Sequence, residues 1–202
     1  MLKNILIHLS RECMSELYSN FQGYLQLNMP RIKGIIILGL LFYVLYCLLW
    51  LKGYTRKYKN VMATMMWGII LSLDCSFIFV MTLLGREIGD SYHIRLKPFQ
   101  SYFLTLIEGE MEILLQILVN IAMYIPIGFL LPCCFEMFER YRRVMLVGIL
   151  TSLCIEVIQF ILKIGMFEVD DIISNTLGCI IGLGLWLICE KMFLWYKGVS
   201  VR

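Results

Sequence analysis

Five stretches of this chain are almost free of charge, and each is about the length a helix needs to cross a hydrocarbon core roughly 30 Å thick, some 17–25 residues. They run over Gly34–Leu51, Val61–Leu84, Glu112–Cys134, Val144–Ile164 and Ile172–Trp195. Lipid offers no hydrogen bonds to the main chain, so a spanning segment must satisfy its own amides and carbonyls. The runs lack the alternation of a barrel strand, which leaves helices. Composition agrees: 60% of the 202 residues are hydrophobic and 16% charged, which excludes a disordered chain or an ordinary soluble domain. The fold class expected is all-α, a polytopic membrane bundle of about five transmembrane helices.

The remainder divides into three parts. Residues 1–33 form an N-terminal amphipathic segment, 34–84 the first two spans, and 85–197 a core of three spans with an extracytoplasmic loop. In the first part Leu2, Ile5, Leu6, Leu9, Cys13, Leu17, Phe21 and Tyr24 recur at helical spacing. That pattern predicts an interfacial helix, lying on the bilayer or covering the bundle's flank. Lys3, Arg11, Glu12 and Glu16 interrupt any apolar core of a cleavable signal, so the first span is expected to direct insertion.

Five spans place the two termini on opposite sides of the cell membrane. Lys52, Arg56, Lys57, Lys59, Arg140, Arg142, Arg143, Lys191, Lys197 and Arg202 share one side, in short loops beside spans, where the positive-inside bias acts most strongly. The other side carries Lys3, Arg11, Arg31, Lys33, Arg86, Arg95, Lys97 and Lys163, half of them in the leader. This predicts N-terminus outside and C-terminus cytoplasmic. The net charge of +3 gives no reason to expect a nucleic-acid partner, since topology and anionic lipid account for the basic loops.

Of the eight cysteines, Cys47, Cys75, Cys154, Cys179 and Cys189 fall inside apolar runs, and neither CxxC nor a His-linked metal spacing occurs. They are expected to pack. Cys133-Cys134, at the end of the third span, are candidates for reversible acylation or again for packing. No cofactor or metal is expected.

The polar residues inside the spans carry the functional reading. Glu156 and Gln159 share a face of the fourth span, and an ionised Glu at that depth costs about 2.5–3.5 kcal/mol on insertion scales. It must be protonated, paired or open to water. Asp170, Asp171 and Asn175 sit at the entrance of the fifth span, where Asp170 is expected to cap the helix's own amides and Asp171 to complement its dipole. Gln116 and Asn120 point one way on the third span, ahead of Pro126 and Gly128. Pro126 frees the carbonyl near Ala122, while Gly128 and the Gly178–Gly182 spacing invite close helix contact. In the loop, Pro98 keeps Lys97 extended. Arg95 is then expected to pair with Asp170 or Asp171, or to hold an anionic group of a ligand. Asp74, midway along the second span, raises the same solvation problem with no partner evident.

Three blocks resemble a known pattern: Arg95-Leu-Lys-Pro98-Phe99; Asn120-Ile-Ala-Met-Tyr-Ile-Pro126-Ile-Gly128-Phe-Leu-Leu-Pro132; and Glu156-x-x-Gln159 leading to Asp170-Asp171-x-x-x-Asn175-Thr-Leu-Gly178. Together, over about residues 92–185, they resemble the VanZ-like family. Two departures stand out: Arg95 occupies a position where the family more often has asparagine, and Gly165 and Met166 stand where a basic residue often precedes the Phe-x-x-Asp-Asp run. The resemblance implies a multi-pass bacterial envelope protein. It also implies a link to teicoplanin resistance, after the member that raises resistance without altering the peptidoglycan precursor.

Three functions remain open at this point. The first is a binding protein whose Arg95, Asn120, Glu156, Gln159, Asp170, Asp171 and Asn175 contact membrane lipids or lipid-linked envelope intermediates. The second is an enzyme in which Glu156, Asp170 and Asp171 act as acid, base or metal ligands on an envelope lipid, because crowded carboxylates differ in how readily they ionise. The third is a transporter or flippase, which five spans would form only as a homo-oligomer or with a partner.

Overall fold

The computed structural model describes residues 28–55, 61–84 and 88–197. Five helices long and apolar enough to span a membrane carry the architecture: α1 (Asn28–Leu51), α2 (Val61–Leu83), α4 (Met111–Cys134), α5 (Tyr141–Leu162) and α6 (Val169–Tyr196). Two short parallel strands, β1 (Ile94–Arg95) and β2 (Phe167–Glu168), and a nine-residue helix, α3 (Gln100–Glu108), lie between them in sequence. The expected leader helix falls on residues 1–27, outside those described. Residues 28–33, assigned to the leader from sequence, belong to α1.

The middle of the bundle is the parallel pair α4 and α6, brought together by glycine. A Cβ on Gly178 would lie 2.2 Å from the carbonyl oxygen of Ile121, and one on Gly182 would lie 2.0 Å from that of Ile125. Gly128 faces α6 in the same way, with the Cys179 carbonyl 2.0 Å from its hypothetical Cβ. Backbone therefore rests on backbone, the small-xxx-small contact expected of membrane helices. Pro126 and Pro132 are accommodated within α4, which continues through both.

Tyr124, Ile127, Leu131, Val144, Cys179, Leu183 and Trp186 fill the space around this pair. A second cluster joins α1 and α2 to the far end of α4. There the Tyr46 ring lies against Gly68, and its hydroxyl donates to the carbonyl of Thr64 at 3.0 Å. Cys134 belongs to this cluster and Cys133 to the central one, and both are buried. Their thiols pack, and acylation would require them to leave the bundle.

One end of the bundle gathers the end of α2, the 88–110 connection, the end of α5 and the start of α6. Backbone pairing ties the connection down: Gly89 N–H donates to Lys163 O at 2.7 Å and Phe167 N–H to His93 O at 3.0 Å. The strand register sets Ile94 opposite Phe167 and Arg95 opposite Glu168. Gly109, at φ 68°, closes α3 in the left-handed conformation that glycine adopts without steric cost, and α4 follows at once.

Candidate functional site

The α5–α6 corner places three carboxyl groups beside one another, and the β1–β2 pairing brings the chain's loop to meet them. Glu156 is 2% exposed, one and a half turns before α5 ends. Its Oε2 accepts the backbone N–H of Glu168 at 2.9 Å. A helix leaves its first amides without internal partners. Glu156 satisfies the one at the very start of α6, so the buried carboxyl is used across the corner.

Glu168 faces the loop. Its Oε2 lies 3.4 Å from an Arg95 guanidinium nitrogen and accepts from the Ser101 hydroxyl at the same distance. The Arg95 partner expected from sequence was Asp170 or Asp171; the strand register puts Glu168 there instead. Asp170 also differs from expectation. It does not cap α6, whose N-cap position, Glu168, makes no side-chain cap bond. Its two oxygens accept the backbone amides of Phe99 at 2.5 Å and Ser101 at 2.7 Å, so it caps α3 from a neighbouring element. Phe99 has φ 63°, a conformation non-glycine residues rarely adopt, and this geometry turns its N–H toward Asp170. Tyr102 completes the attachment, its hydroxyl 2.7 Å from that of Ser174, which in turn donates to the Asp170 carbonyl at 2.8 Å.

The seven residues singled out from sequence therefore separate by partner. Arg95, Glu156 and Asp170 meet in one network, together with Glu168, Ser101, Tyr102 and Ser174, which the motif reading did not select. Asp171 faces α4, where Gln116 Nε2 approaches it at 3.4 Å. Asn175 Nδ2 donates to the buried Ser152 hydroxyl at 2.8 Å, joining α6 to α5. Gln159 stands apart, donating to the Thr82 carbonyl of α2 at 2.9 Å. Among the described residues, two buried side-chain amide atoms have no hydrogen-bond partner: Nδ2 of Asn120, a donor, and Oδ1 of Asn175, an acceptor. The contact of Gly178 with Ile121 sets these two helices in register at about this depth. Asp74 lies outside the network on α2, with Oδ2 buried and unpartnered.

Among the described residues, the network's carboxyl groups outnumber its one cation, a balance that suits hydroxyl, amide or ammonium groups better than a phosphate. A cavity of about 360 Å³ lies elsewhere, between α1, α2, α4 and α5, lined by Phe42, Cys75, Ile78, Tyr124, Ile127 and Cys154 among others. None of the seven residues lines it. Among the described residues, no three His, Cys, Asp or Glu side chains are grouped so as to hold a metal ion.

Fold and site together define a multi-span helical membrane protein with an acid-rich clasp at one end of its bundle. The chain belongs to the VanZ/LLP1 family, whose model matches residues 36–190 and so takes in every element from within α1 to most of α6. It is similar to Protein VanZ of Enterococcus faecium, 28% identical over 130 residues, a match covering 64% of this chain and 71% of that protein. No solved structure matches it.

Proposed function

We propose that this protein binds the head group of an envelope lipid or of a lipid-linked wall intermediate, without chemically changing it. The binding residues would be Arg95, Asn120, Glu156, Gln159, Asp170, Asp171 and Asn175. The observation that carries this reading is the pair of unpartnered buried amide atoms on Asn120 and Asn175, beneath the acidic mouth of the bundle. Leaving such groups unbonded costs about 1–3 kcal/mol each, and a ligand offering both a donor and an acceptor would recover that. Glu156 and Asp170 also hold α3 and the strand pair over this end of the bundle.

The orientation in this reading is N-terminus outside and C-terminus in the cytoplasm, so that the clasp meets the outer leaflet. Such binding would connect the chain to glycopeptide resistance of the teicoplanin type by restricting a lipid-anchored drug's access to the surface. A catalytic role for Glu156, Asp170 and Asp171 has less support, because Glu156 and Asp170 already serve as acceptors for backbone amides. Lipid extraction and mass spectrometry of the purified protein separate the two. A defined co-purifying head group is the expected result; an altered envelope lipid in expressing cells, with nothing retained on the protein, would replace binding with catalysis.

A further inference from the structure

We infer that α3 is an interfacial helix whose outward face is sunk among the lipids at the membrane boundary. A helix on a water-washed surface turns its apolar side chains inward and its polar ones outward. In α3 the order is reversed. Ser101 and Tyr102 direct their polar atoms to Glu168 and Ser174, and the Thr105 hydroxyl donates back to Ser101 O at 2.9 Å. Phe99, Phe103, Leu106 and Ile107 point away, and at 3.6 residues per turn they occupy an arc of about 100°. Phe103 is 59% exposed and Leu106 84%, and none of the described residues covers them.

The position of the stripe identifies what covers it. Gly109 and Glu110 lead directly into α4, whose outward residues Met111, Leu115 and Leu118 are also more than half exposed and must face hydrocarbon in a spanning helix. The stripe continues that wall without a polar break except at the turn. A nine-residue helix rises about 13 Å, too short to cross but long enough to lie along the boundary. Lys97 before it and Glu108 at its end, both exposed, supply the charged heads that keep such a helix level with the head groups. Because the other side of α3 is fastened to Glu168 and Asp170, the cover of the polar cluster is itself anchored in lipid. The cluster is then approached from the bilayer. This inference does not depend on whether the cluster binds a head group.

Site-specific photo-crosslinking of the full chain in phosphatidylethanolamine–phosphatidylglycerol vesicles tests it. Benzoylphenylalanine would be placed at Phe103 or Leu106, and at Glu108 on the opposite side of the helix for reference. Since these side chains are exposed, the substitutions leave the fold unchanged, which a melting curve verifies. The expected products at 103 and 106 carry the mass of a phospholipid, in several-fold greater yield than at 108. Adducts with a second copy of the chain, or lipid adducts no more abundant than at 108, would overturn the assignment.

Discussion

Replacing Asp170 with alanine should release α3 while leaving the spans assembled. Asp170 is 2% exposed, and its carboxyl accepts two backbone amides, from Phe99 at 2.5 Å and Ser101 at 2.7 Å. Hydrogen bonds to a charged acceptor contribute about 1.5–3 kcal/mol each, so the pair is worth at most about 3–6 kcal/mol. The loss is smaller in practice, because the freed amides reach water once α3 lifts, and about 3 kcal/mol is a reasonable central value. At about 1.4 kcal/mol per factor of ten, opening of α3 becomes on the order of a hundredfold more frequent. Hydrogen–deuterium exchange of the protein in detergent or nanodiscs reads this directly. Amides of residues 99–108 should exchange on the order of a hundred times faster in Asp170→Ala, while those in the middle of α4 and α6 keep their wild-type rates. Asp170→Asn, which retains one carbonyl acceptor, should fall between. Unchanged protection of 99–108 in Asp170→Ala would refute the cross-helix cap.

The other expectations concern packing, the buried acid and the topology. Gly182→Ala, which would stabilise an isolated helix by about 1 kcal/mol, should here destabilise the protein by about 1–3 kcal/mol or more, because its Cβ would lie 2.0 Å from the Ile125 carbonyl; a lowered melting temperature in detergent checks the sign. Glu156→Gln keeps an oxygen for the Glu168 amide and should melt close to wild type, whereas Glu156→Leu strands that amide and should cost about 1–3 kcal/mol. For orientation, a cysteine at Lys97 should react with an impermeant maleimide added to intact cells in a background lacking other reactive thiols, and one at Lys52 should not. The reverse pattern would invert the topology.

How much of this was legible in the sequence depends on the range of the interaction involved. The five spans follow from hydropathy, a local property, and their observed ends lie within a few residues of those expected except at α1 and at the start of α5 and α6, where polar residues such as Arg31, Arg142 and Asp170 are taken into the helix. The glycine contacts of Gly128, Gly178 and Gly182 were readable as spacing because the close approach of two helices needs small residues whatever the partner. The helix α3 was not identified. Its nine residues form barely two and a half turns, and its polar face is inward, so the usual sign of a surface helix is inverted. Arg95 was matched to the wrong acid because its neighbour is set by strand register across 73 positions of sequence, which no local pattern encodes. Glu168 belongs to none of the motifs, and Ser101 and Tyr102 matter only because α3 exists.

The central claim is that the unpartnered buried amide atoms of Asn120 and Asn175 take part in binding a lipid head group, and native mass spectrometry of the purified protein tests it most directly. Wild type should retain a lipid of defined mass. The double variant Asn120→Leu/Asn175→Leu, with side chains of similar volume but no amide, should lose that lipid while remaining folded, as judged by its melting curve. Equal retention of the same lipid by a folded double variant, or no retained lipid in wild type, would contradict the account.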